Sequence, residues 1–152
     1  MTMSIAHALH VLAAVIWVGG MFFAYMILRP SAGPLEPPQR LPLWGRVFQK
    51  FFGWVWGSVL VLLLSGYGMI HLEFGGFAHL PLYINVMQGL GWIMILLFMH
   101  LFFAPWKRFR RLVAAGDFPA ARDQLEQIRM IVKINLGIGL VVVLVAGSGR
   151  YW

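Results

Sequence analysis

Two histidines lie three residues apart at the head of an otherwise apolar stretch, His7 and His10 in HALHVLAAVIWVGG. An ionisable side chain inside a membrane is costly, and such residues face a bundle interior or a partner rather than lipid. A neutral imidazole can ligate a metal ion or a haem iron through one ring nitrogen. His10, a turn deeper than His7, is therefore the first candidate for a functional residue.

The composition is that of an integral membrane protein. Of 152 residues, 61% are hydrophobic and 11% are charged, and the mean hydropathy is +0.79, whereas soluble domains are about half apolar. The chain has no cysteine, which excludes thiolate metal sites and disulfides. The net charge of +7 is typical of basic loops beside a lipid bilayer and predicts no nucleic-acid binding.

Four apolar stretches are long enough to cross a bilayer as helices, which takes about 20 residues each. They run over about 5–28, 54–72, 82–103 and 131–147. The predicted fold class is all-α, an integral membrane four-helix bundle forming a single domain over residues 1–152. The loops between spans one and two and between spans three and four cover 29–53 and 104–130.

The basic residues predict the orientation of the bundle. All lysines and arginines except Arg150 lie in or beside the two loops 29–53 and 104–130. By the positive-inside rule these loops are cytoplasmic. We therefore expect both termini on the outer, periplasmic side of a bacterial inner membrane.

The loop sequences carry further local signals. Pro34 to Trp44 (PLEPPQRLPLW) is too proline-rich for a helix and is expected to lie along the headgroups. The residues after it recur at helical spacing and predict an interfacial segment leading into span two: Trp44, Val47, Phe48, Phe51 and Phe52. Asp117 can cap a helix that starts near Phe118 and continues into span four.

Depth limits which histidines can meet. At a rise of 1.5 Å per residue, His10 and His100 lie about 18 Å apart across the membrane and cannot share one iron. His7, His10 and His71 all lie near the outer side and can converge. A stripe at helical spacing on span one is expected to face the bundle interior: His7, His10, Ala14, Trp17, Met21, Ala24 and Leu28.

Small residues are frequent in all four spans, as in Ser65-Gly66-x-Gly68. They allow membrane helices to approach closely and leave flat space against which a porphyrin can lie. Arg150 is the only cation on the outer side, where the propionates of a haem would need one.

Three segments resemble the CopD-domain superfamily, which includes copper-resistance D proteins and the HemJ-type protoporphyrinogen oxidases. HVLAAVIWVGGMFFAYMIL, from His10, is similar to the family's first span in its histidine, in Trp17 seven residues on, and in its small pair followed by aromatics. LLLSGYGMIHL looks like the second span. RMIVKINLGIGLVVVLVA resembles the start of the last span, with Asn135 at its polar position.

The resemblance implies a four-helix bundle, a homodimer, and His10 as a haem b ligand. HemJ-type proteins place a lysine in the third span, and this chain has none between Lys50 and Lys107. That absence argues against protoporphyrinogen oxidase activity. Met87 lies at roughly the depth of that lysine, level with His10. Haem binding then needs Met87 or a second histidine as the other axial ligand.

Three functions stay open at this point. The leading interpretation is a haem b membrane protein with a redox role, ligated by His10 with His71 preferred as partner and His7 or Met87 next, and with quinol or porphyrin as substrate. The alternative is copper uptake or resistance, because copper(I) favours thioether and imidazole ligands and Met1, Met3 and His7 lie together at the outer N-terminus. The third is a cofactor-free subunit of a larger complex. Enzymatic activity and the role of His100 are left open.

Overall fold

The computed structural model describes residues 1–152 and is entirely helical. Its helices are α1 (Thr2–Ala32), α2 (Pro37–Phe74), α3 (Leu82–Phe103), α4 (Pro105–Ala114) and α5 (Phe118–Ser148), followed by a 3₁₀ turn at Gly149–Tyr151. Four helical segments are long and apolar enough to cross a membrane, with α3 and α4 counted as one segment. This confirms the predicted all-α class and its four spans.

The long helices form two antiparallel pairs. In the first pair, α1 lies along α2, where His10 contacts Ser65. In the second pair, α3 lies along α5, where Asn135 bonds to the backbone of Met94. Both chain termini therefore lie at one end of the bundle, called here the terminal end. The loops that carry most of the basic residues lie at the opposite end, called the basic end.

The core is concentrated towards the basic end. It contains 22 buried side chains, none of which lies within residues 1–16, 60–93 or 137–152. Its centre is Phe52 of α2, whose ring centroid lies 5.1 Å from that of Phe48, 5.6 Å from that of Phe98 on α3, and 5.2 Å from that of Trp106 on α4. These aromatic contacts join the two helix pairs.

The prediction that Pro34 to Trp44 is not helical is wrong from Pro37 onward. α2 begins at Pro37, because prolines in the first turn of a helix lack only N–H groups that have no partner there. Pro42 lies inside the helix and removes one further backbone bond. Trp44 is buried in the core.

Two features of α1 and α5 follow from local bonding. α1 continues through Arg29 to Ala32, with a π-helical segment at Phe23–Leu28, where the Arg29 N–H bonds to the Ala24 carbonyl, five residues back. No sequence pattern predicts this π-helical segment. At the start of α5, the carboxylate of Asp117 accepts a hydrogen bond from the Ala120 N–H at 3.3 Å, which confirms the predicted cap.

The loop 104–130 also contains α4, which the sequence does not predict. Its buried residues Trp106 and Phe109 lie three apart on one face, while Lys107, Arg108 and Arg110 are exposed. Arg108 donates to the side-chain oxygen of Gln124 on α5 at 2.9 Å. The helix therefore closes the basic end of the core and presents cations outside it.

We expect Phe52→Ala to destabilise the fold by up to about 3 kcal/mol, because it leaves a cavity where the helix pairs meet. The loss is smaller than in a water-soluble core, since helices in lipid associate through packing rather than through burial from water. The measurement is unfolding in mixed detergent micelles. The matched control is Leu64→Ala, whose leucine is 68% exposed; equal destabilisation by both variants would contradict this account of the core.

Candidate functional site

The imidazole of His10 lies against α2 in the terminal half of the bundle. Its Nδ1 is 2.9 Å from the hydroxyl oxygen of Ser65, and the side chain is half-buried. The ring also packs on Gly66, where an added Cβ would lie 3.1 Å from His10 Cε1. Glycine at this position therefore lets the ring reach the backbone of α2.

The hydrogen bonds of Ser65 favour one tautomer of His10. The Ser65 hydroxyl donates to the Val61 carbonyl one turn back, at 2.5 Å. With that proton used, the hydroxyl oxygen accepts from the imidazole, and we assign the ring proton to Nδ1 on this basis. The other ring nitrogen, Nε2, keeps a free lone pair. Metal-ligating histidines typically have this arrangement, with one nitrogen donating to a neighbour and the other binding the metal.

The three outer histidines do not form one metal-binding cluster. Both His7 and His71 are exposed, and the His71 ring packs edge-on against Phe77 with centroids 5.7 Å apart. His71 follows Ser65 by six residues, so it lies about 9 Å nearer the terminal end. No group of three or more histidine, aspartate or glutamate side chains is close enough to hold a metal ion.

The packing register brings Met87 level with His10. A Cβ on Gly139 of α5 would lie 3.0 Å from Val18 and 3.1 Å from Met94, so these residues share one depth. Counting towards the terminal end at 1.5 Å per residue, His10 lies about 12 Å from that level and Met87 about 10 Å. Met87 is half-buried. Met87, rather than His71, is therefore the predicted second ligand that matches His10 in depth.

The remaining candidate residues are Trp17, Arg150, Met1 and Met3. Trp17 is buried in the core, with its ring 6.3 Å from that of Phe98. Arg150 is exposed at the terminal end, with its guanidinium 5.9 Å from the Tyr151 ring centroid. Met1 is fully exposed, and Met3 is half-buried.

Two further polar contacts link helices and are not predicted by the sequence. Trp92 of α3 donates to the Tyr67 hydroxyl of α2 at 2.8 Å. Asn135 donates to the Met94 carbonyl at 3.1 Å, and its own side-chain oxygen is buried without a partner. Ser65 was also missed as a hydrogen-bond partner; the available signal was a hydroxyl between apolar residues of a membrane helix.

The fold and the site define a class of multi-pass membrane bundle with an oriented histidine in its terminal half. Within that class, the chain belongs to the copper resistance protein D family, CopD, which it matches over residues 45–148. The match begins in α2 and ends at the last residue of α5, so it includes Ser65 and leaves α1 with His10 outside. No curated protein and no solved structure matches the chain.

We expect Ser65→Ala to release the tautomer of His10, because the Nδ1 proton loses its acceptor. The cost in stability is about 1 kcal/mol. The measurement is nitrogen NMR of histidine-labelled protein, in which the wild-type His10 signal should report a protonated Nδ1 and the variant a mixture of both tautomers. Ser65→Thr keeps the hydroxyl and is the control. A mixture in the wild-type protein would overturn the assignment.

Proposed function

We propose that the protein binds copper(I) in the terminal half of the bundle, with His10 Nε2 as a ligand, and acts in copper uptake or copper resistance. The observation that carries this proposal is the hydrogen-bond chain from His10 through Ser65 to the Val61 carbonyl. This chain leaves the ligating nitrogen free. Membership of the copper resistance protein D family favours copper as the ion.

The nearby donors match the chemistry of copper(I), a soft ion that prefers thioether sulfur and imidazole nitrogen. Three half-buried methionines lie in the terminal half: Met3, Met69 and Met87. Met3 precedes His10 by two helical turns on α1, and Met69 follows Ser65 by one turn on α2. These thioethers can receive the ion at the terminal end and pass it inward to His10.

The proposed orientation places the termini outside a bacterial inner membrane, as the basic loops predict. Copper(I) from the periplasm would then reach Met1 and Met3 first. Because the chain has no cysteine, single cysteines at exposed Ser4 and Ala115 can test this. In spheroplasts we expect an impermeant maleimide to label Ser4→Cys and not Ala115→Cys. The reverse pattern would contradict the orientation.

We expect His10→Ala to weaken copper(I) binding by tenfold or more, the loss that corresponds to about 1.4 kcal/mol or more. The measurement is competition of the detergent-purified protein with a chromogenic copper(I) chelator. His100→Ala is the matched control, because His100 is exposed on α3 and lies at the opposite end of the bundle from His10. Copper accumulation in cells expressing each variant should follow the same order. Unchanged affinity in His10→Ala would refute the proposal.

Haem b ligation is the second candidate. It is supported by the sparse core of the terminal half, where none of the 22 core side chains lies, and by Met87 at the depth of His10. His10 Nε2 and the Met87 thioether would hold the iron, and the haem would supply one-electron chemistry. A redox role with quinol or porphyrin, and a homodimer, stay predictions of this candidate.

The optical spectrum of the same preparations separates the two candidates. Haem ligation predicts a Soret band that shifts on dithionite reduction, is lost in His10→Ala, and is kept in His100→Ala. A colourless wild-type protein, purified from cells supplied with haem precursor, would reject haem. Absence of both the band and copper binding would leave the cofactor-free subunit, which should copurify with a larger complex.

A further inference from the structure

An open cavity of about 580 Å³ lies at the basic end, between the end of α1, the start of α2 and the first turns of α5. Its charged wall consists of four arginines and one glutamate: Arg29, Arg40, Arg122, Arg129 and Glu126. This group is called the arginine cavity below. Its position, far from His10, separates it from the proposed copper site.

The positive charge of the cavity is not balanced within the chain. The only ion pair joins Arg129 and Glu126 at 2.8 Å. Arg40 donates only to backbone carbonyls, those of Gly33 and Leu35, at 3.4 and 3.3 Å. Three arginines therefore lack a carboxylate partner, and like charges gathered in one cleft repel one another unless an anion binds between them.

Two of the four guanidinium groups are held against aromatic rings. Arg29 lies over the Tyr25 ring at 4.8 Å, and Arg129 lies over the Trp44 ring at 5.5 Å. The Nε of Arg129 is buried and has no hydrogen-bond partner. A guanidinium that is preoriented in this way, with donors still unused, is suited to a planar or tetrahedral oxyanion.

The π-helical segment of α1 contributes to the wall of the cavity. Phe23–Leu28 supplies Tyr25, and the α-helical turn that follows supplies Arg29. On α5, Arg122, Glu126 and Arg129 recur at spacings of four and three, so they share one helical face. π-Helical turns occur frequently at functional sites, and this one borders the arginine cavity.

We propose that the arginine cavity binds a phosphate group. Arginine recognises phosphate through paired N–H donors, and a volume of about 580 Å³ is in the range of sites for small molecules and headgroups. Two sources share this chemistry: the headgroup of an anionic phospholipid and a soluble phosphate compound. Basic pockets between membrane helices favour the lipid.

The test measures the melting temperature of detergent-purified protein against added short-chain phosphatidylglycerol, phosphatidylcholine or inorganic phosphate. We expect a saturable rise with phosphatidylglycerol and none with phosphatidylcholine. A rise with inorganic phosphate as well would identify a soluble phosphate as the ligand class and still support the cavity. No rise with either phosphatidylglycerol or inorganic phosphate overturns the proposal.

Matched variants test whether the rise in melting temperature depends on the arginine cavity. Arg122→Gln should weaken the apparent affinity about tenfold, as expected for one charged hydrogen-bonding partner. Arg111→Gln removes the same charge from an exposed residue outside the cavity and should leave the affinity unchanged. Equal weakening by both variants would show general attraction to basic loops and overturn the proposal.

Glu126→Gln provides a test in the opposite direction. It removes the only negative charge in the arginine cavity and frees the donors of Arg129. We expect tighter binding of the phosphate probe, an outcome that misfolding cannot imitate. Unchanged or weaker affinity in Glu126→Gln would count against the proposal.

Discussion

Packing around Phe52 is the interaction on which the rest of the bundle depends. Helices in lipid gain little from burying apolar surface, so they associate through close van der Waals contact and a few hydrogen bonds. Here Phe52 contacts aromatic rings of both α3 and α4, and no equivalent cluster exists in the terminal half. The basic end is therefore the anchored part of the fold, and the two helix pairs are joined more sparsely beyond it.

In the terminal half, where the core is sparse, hydrogen bonds between polar side chains join the helices. The contact between His10 and Ser65 joins α1 to α2, and the bond between Trp92 and Tyr67 joins α2 to α3. A buried hydrogen bond in lipid has no water to compete with it, and an unpaired polar group there is costly. Each such contact sets a register and, in the case of His10, also a tautomer.

The two ends of the molecule consequently present different chemistry. The terminal end offers thioethers and one oriented imidazole, which suit a soft metal ion. The basic end offers guanidinium groups in an open cavity, which suit an oxyanion. The two sites share the bundle but not a residue, so a ligand at one end can be tested without disturbing the other.

The sequence alone determined the membrane class and the four spans, and it singled out His10 as a candidate, because hydropathy and an ionisable residue in an apolar stretch are local properties of the chain. The cap at Asp117 was also readable, since it needs only neighbouring residues. Only the tertiary structure decided that Ser65 is the partner of His10, because register between helices depends on packing between segments 55 residues apart in the chain. The arginine cavity was likewise hidden from the sequence, since it arises where α1, α2 and α5 meet rather than within any one segment.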